Sequence, residues 1–179
     1  MLELNLKSPA ALTCLRQAER LYPTLASIKG WLALAMVYVG DDVPGAEAKA
    51  AEALAITKGE PYAITAQAFC ALARGETARA KELLTTVVKQ GFTNTFAYYG
   101  LSLCYRAMGD TTMERSELVY SSRINPNLVE AMARVRILSP LGSAAHSRPL
   151  PSFPRRPGSS FPRRRESILC PCLCTTLSY

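Results

Sequence analysis

The chain has little of what enzymes use. Its 179 residues include one histidine, His146, beside Ser147 and far from any organised neighbourhood. A Ser-His-Asp or Cys-His site needs an imidazole held against its nucleophile, so neither is expected. There is no G-x-x-x-x-G-K-[ST] loop and no G-x-G-x-x-G, which removes the common phosphate cradles. Carboxylates are scattered along the chain, so no enzyme activity, metal or cofactor is expected. Long apolar runs are missing too. The longest, Trp31 to Gly40, is ten residues, where a bilayer needs about twenty. Residues Met1-Leu-Glu-Leu-Asn-Leu-Lys7 lack the basic-then-apolar order of a secretory signal. Cytoplasm is therefore the default, or periplasm or a membrane surface if the true N-terminus is missing.

The six cysteines do not make a disulfide framework. Cys14, Cys70 and Cys104 fall in helical apolar patterns, where Cys serves as a small hydrophobe. Cys170, Cys172 and Cys174 alternate as C-P-C-L-C, which is not the C-x-x-C spacing of zinc sites.

Charge separates the chain into two parts. The net charge is +7, from 21 Lys plus Arg against 14 Asp plus Glu. Residues 1–140 carry 15 basic and 13 acidic side chains, whereas residues 141–179 carry six Arg and only Glu166. The basic balance belongs to the tail and is poor evidence that the folded part binds nucleic acid. Six of the twelve prolines lie in that tail, and Ser152-Phe-Pro-Arg-Arg156 recurs as Ser160-Phe-Pro-Arg-Arg164. Such a segment buries too little apolar surface to offset its ordering entropy, so residues 141–179 are expected to be disordered. Phe161-Pro-Arg-Arg-Arg-Glu-Ser167 also resembles the translation of a short genomic repeat element found near bacterial gene ends.

Residues 9–140 read as helix after helix. Ser8-Pro9 opens the first, which Pro23 ends, and residues 1–8 form a short lead. Further helices are expected at about 25–39, 44–57, 61–74, 77–90, 95–108, 111–124 and 127–138. Thr77 is expected to cap one helix, while Thr111-x-x-Glu114 and Asn127-x-x-Glu130 have capping-box form. Short connections force antiparallel neighbours. Gly75 and Gly109 are 34 residues apart, as are Phe92 and Pro126, and Asp41 falls 34 before Gly75. A 34-residue period of helix–turn–helix units marks a repeat array.

Three units fall on this period: about 25–59, 61–92 and 95–126, after a half repeat at 9–23 and before a terminal helix at 127–138. Leu101-Ser102, Tyr105, Gly109 and Pro126 carry the third; Ala68, Ala71, Gly75, Ala80 and Leu84 carry the second. Trp31, Leu34, Ala35 and Tyr38 carry the first, with Ala46, Ala50 and Ala53 one residue out of step. In these residues the chain resembles the tetratricopeptide repeat family over about residues 9–138. The resemblance implies an all-α fold, antiparallel helix–turn–helix repeats stacked as a short right-handed α-solenoid.

It also implies a function class. The first helix of each unit would line a concave apolar groove that grips a partner protein's segment. By position, the lining residues are Lys29, Leu32, Met36 and Val39, then Tyr62, Thr65, Phe69 and Leu72, then Phe96, Tyr99, Leu103 and Arg106. The Lys/Asn/Arg carboxylate clamp of some repeat proteins is absent, so a protein or peptide with apolar anchors is the expected partner. The expectation is a non-enzymatic scaffold, with uses such as assembly of a bacterial envelope or secretion complex. The alternative is nucleic-acid or anionic-membrane binding through the arginine tail, although no specific nucleic acid is expected. Solenoids protect their ends with capping elements. The last helix offers Arg134 and Arg136 outward for this, whereas the first leaves Leu12, Leu15 and Leu21 partly uncovered. Truncation, or self-association through that helix, would follow.

Overall fold

The computed structural model describes residues 2–5, 7–40, 42–91 and 93–138. The tail expected at 141–179, with its arginine repeats, its three cysteines and His146, lies outside the described residues. So do Asp41 and Phe92 of the 34-residue spacing. Every regular element among the described residues is a helix. They are α1 (Leu2–Asn5), α2 (Ala10–Leu21), α3 (Ala26–Tyr38), α4 (Val43–Ile56), α5 (Pro61–Ala73), α6 (Thr77–Lys89), α7 (Thr95–Ala107), α8 (Thr111–Ile124) and α9 (Val129–Leu138). Element α1 is a turn within the lead that the helical pattern did not announce.

The repeat is visible in how the helices begin. Asp42, Glu76 and Asp110 precede α4, α6 and α8 at intervals of 34 residues, and Glu60 and Asn94 stand likewise before α5 and α7. A helix start leaves backbone N–H groups without partners, and short polar side chains accept from them. Asp42 accepts from the Gly45 amide at 2.9 Å, Asp110 from Met113 at 3.0 Å and Glu60 from Ala63 at 2.7 Å. The cap positions therefore sit one residue earlier than Thr77 and Thr111, with Asp110 capping α8 and Glu76 preceding α6 without a side-chain cap bond. The register also reassigns the irregular unit. Asp42 keeps step with the later caps, whereas α3 ends at Tyr38, one residue short of the spacing set by Ala73 and Ala107.

The hairpin turns repeat as well. At Gly75 (φ 78°) and Gly109 (φ 76°) the chain adopts a left-handed conformation that a Cβ disfavours. Around each, the same bonds close the helix end: Glu76 N donates to Ala71 O at 2.9 Å and Asp110 N to Tyr105 O at 3.0 Å.

Each helix packs against its neighbours in the manner of stacked hairpins: α3 with α4, α5 with α6, α7 with α8, and each pair with the next. A hairpin alone cannot bury its apolar face, so stability comes from stacking. Alanine seals the first pair: Ala33, Ala35, Ala46, Ala50 and Ala53 are all fully buried. Ile64, Ala68, Leu84, Val87, Leu101 and Cys104 join α5, α6 and α7. Close approach is also built in at Gly30 of α3. A Cβ there would run into the Glu60 carboxylate and come within 3.0 Å of the Ala63 amide nitrogen.

Candidate functional site: the α3–α5–α7 face

The structure gathers most of the expected lining residues but turns them inward on one another. Trp31 stacks on Tyr62 with ring centres 3.7 Å apart, and Phe96 meets Trp31 at 6.1 Å and Tyr38 at 5.3 Å. Tyr38 also meets Phe69 at 6.0 Å and Tyr99 at 6.3 Å, while Phe69 stacks on Tyr99 at 6.3 Å. Most of these are the edge-to-face and offset arrangements that aromatic quadrupoles favour. Leu32, Thr65, Phe69, Phe96 and Tyr99 are buried.

Polar bonds fix the same region. Asn94 caps α7 with its side-chain oxygen and donates from Nδ2 to Thr65 Oγ1 at 2.8 Å. Thr65 in turn donates to Pro61 O at 2.7 Å. Met36, Val39 and Leu103 are half-buried against the same cluster, and only Arg106 of the twelve is exposed. Two residues go elsewhere. Leu72 packs in the α5–α6–α7 core, and Lys29 joins Glu19 at 3.0 Å and Glu52 at 2.7 Å. Lys49 completes that network on Glu19 and Glu52, which ties α2, α3 and α4 together.

The cover comes from the lead. Leu4, 1% exposed, belongs to the cluster that runs through Tyr38, Phe69, Phe96 and Tyr99 to Leu128, Ala131 and Leu138. Lys7 then spans two ends of the array. Its ammonium lies 5.3 Å from the Tyr38 ring centre and 2.9 Å from Glu130 Oε1 on α9. Tyr99 donates to the other Glu130 oxygen at 2.7 Å. Burial works to raise the Glu130 pKa, but the hydrogen bonds from Tyr99 and Lys7 outweigh it and leave the carboxyl below its usual range. Burial pushes the Tyr99 and Tyr38 phenols upward, and Tyr62 up to about 12. All three phenols are neutral at physiological pH.

No family model, curated protein or solved structure matches this chain.

Glu114 and Glu130 are the two residues whose capping-box reading fails. Glu114 is 2% exposed and accepts from Arg134 Nε at 2.8 Å, so Arg134 points into the array and not outward. Arg136 is exposed as expected. Leu21 is 65% exposed, whereas Leu12 and Leu15 are half-buried against the main cluster. Lys7, Tyr38 and Glu130 escaped the sequence reading as site residues. The only signal was a lone cation after Leu-x-Leu-x-Leu, and no spacing rule connects residue 7 with residue 130.

Part of the face stays open. A cleft of about 310 Å³ lies where α7, α8 and α9 meet, with Tyr99, Leu103, Arg106, Glu130, Arg134 and Ile137 on its walls. Ile137 is 61% exposed. Burial raises the Cys70 and Cys104 thiols to about 11, so both are unreactive hydrophobes. Among the described residues no group of His, Cys, Asp and Glu is placed to hold a metal, and no helix is long and apolar enough to cross a membrane.

Proposed function

We propose that the chain is a non-enzymatic scaffold of the tetratricopeptide kind, which holds a segment of a partner protein on its α3–α5–α7 face. The observation that carries this reading is the recurrence, at 34 residues, of the acidic residues that precede α4, α6 and α8 and of the Gly75 and Gly109 turns. Aromatic residues concentrated on the first helix of each unit support a contact surface there, because rigid aromatic anchors dominate protein recognition. Apolar Ile137 and Leu103 beside charged Arg106 give the open cleft the mixed character of an interface rim. Assembly of a bacterial envelope or secretion complex is the setting that the resemblance supports.

The test uses the full chain with a photo-crosslinking amino acid at Arg106 or Ile137, and at Arg79 as a control. Arg79 lies outside this cleft, at the start of α6. One defined protein should be captured from the first two positions and not from the third. Equal capture from all three would reject the face as the contact surface. Capture that instead requires residues 141–179 would move the function to the tail.

A further inference from the structure

The contact between the lead and the array is built unlike any other in the molecule. Lys7 has φ 55° and is the one non-glycine residue with positive φ among the described residues. Two buried side-chain polar atoms are found without a hydrogen-bond partner among those residues, Asn5 Oδ1 and the Tyr38 hydroxyl. Tyr38 carries the Lys7 ammonium over its ring, and Asn5 is buried next to Leu4 in the lead itself. The Tyr38 hydroxyl lies near Glu130 without reaching hydrogen-bond geometry. Strain and unmet polar groups thus collect where a short segment sits on the aromatic face. The bond that fastens it, Lys7–Glu130, is the wet part of the contact, with side chains 45% and 33% exposed. Backbone strain collects at ligand clamps and switch regions, and an exchangeable contact is one such place.

We propose that Leu4, Asn5 and Lys7 are an exchangeable internal occupant of the α3–α5–α7 face, and that the face accepts from a partner a short leucine-bearing helical turn followed by a lysine. The leucine would take the place of Leu4 and the lysine that of Lys7, between the Tyr38 ring and Glu130. This rests on the scaffold reading above and names the chemistry of its partner. It also explains how aromatic anchors can be buried in a binding protein: the chain's own lead shields them until a competitor displaces it. Because the lead is tethered, its effective concentration is of the order of millimolar. A competitor therefore gains whatever affinity the lead loses.

The experiment follows from that competition. A fluorescein-labelled peptide of residues 1–8 is titrated by anisotropy against the full chain and against its Lys7→Ala and Leu4→Ser variants. Lys7 is largely exposed, so the first variant keeps its core. Both variants should bind the peptide at least tenfold more tightly than the parent chain, because their own lead competes less. A peptide with K7A should lose at least tenfold on either variant, and so should the natural peptide on K7A chains that also carry Glu130→Gln. No binding to any chain, or equal binding to all, would overturn the proposal and make the lead a fixed part of the core. That result leaves the crosslinking outcome at Arg106 and Ile137 untouched, so the two readings fail separately. If the parent chain doubles its mass in sedimentation and L4S restores the monomer, the occupant is a second copy's lead, which also overturns the proposal.

Discussion

The turns within the hairpins and the seat of the N-terminal lead obey different rules. In the turns, local chemistry satisfies the backbone: Asp42 and Asp110 cap their helices, and Gly75 and Gly109 supply the left-handed residue. At the lead, Lys7 adopts that conformation without being glycine, and Asn5 and Tyr38 leave polar atoms unpaired. The difference teaches where each part draws its stability. Turns are fixed by residues within a few positions of one another, so they repeat wherever the sequence does. Lys7 of the lead is held by Tyr38 of α3 and by Glu130 of α9, 123 positions away, so its seat exists only once the array has assembled.

Loss of a ring from the core should have the largest effect. Phe96 touches both Trp31 and Tyr38 and is 2% exposed. Phe96→Ala should lower unfolding free energy by about 3–5 kcal/mol, read from urea denaturation. A loss near zero would mean that the aromatic face is not a packed core. By the same reasoning Phe69→Ala and Tyr99→Ala, each 7% exposed, should also cost stability, so they cannot serve as silent probes of partner binding.

Arg134→Ala comes next. It leaves the Glu114 carboxylate buried without its ion-pair partner, a defect that costs about 3 kcal/mol. Glu114→Gln with Arg134→Ala should recover much of that loss in the same denaturation assay. If it recovers nothing, the pair is not what holds α9 to α8.

Matched substitutions in the turns sharpen the contrast. Gly75→Ala and Gly109→Ala should each cost about 1–2 kcal/mol, since both force a Cβ into the left-handed region. The two values should agree closely because the turns are copies. A difference larger than about 1 kcal/mol would show that tertiary surroundings, not local conformation, set the cost at these glycines.

The smallest effect belongs to the latch. Glu130 titrates below its usual range, so its contribution is fully present above about pH 4.5 and disappears as pH falls through the lowered value. The pair is partly exposed, which limits the contribution to about 1 kcal/mol. The amide resonance of Lys7 should shift over that acidic window in NMR titration and stay flat in Glu130→Gln. A shift that persists in the variant would assign the acid response to another group.

Much of this protein is legible in its sequence. The eight longer helices, the 34-residue step and the antiparallel hairpins follow from apolar periodicity, prolines and glycines, all of which act over short distances in the chain. Alanines such as Ala46, Ala50 and Ala53 announce close packing because a small side chain permits little else. The fate of polar side chains is not legible there. Glu114 and Glu130 both occupy third positions of apparent capping boxes, yet one is buried on Arg134 and the other binds Tyr99 and Lys7. A carboxylate near a helix start can serve the backbone or a distant cation. The sequence determines that it will want a partner, and only the tertiary structure decides which. Phe69 and Tyr99 show the same division: periodicity puts them on one face, but whether that face is open depends on where Leu4 and Lys7 come to rest. That position is set by contacts with other helices, such as those of Lys7 with Tyr38 and Glu130, which no local pattern encodes.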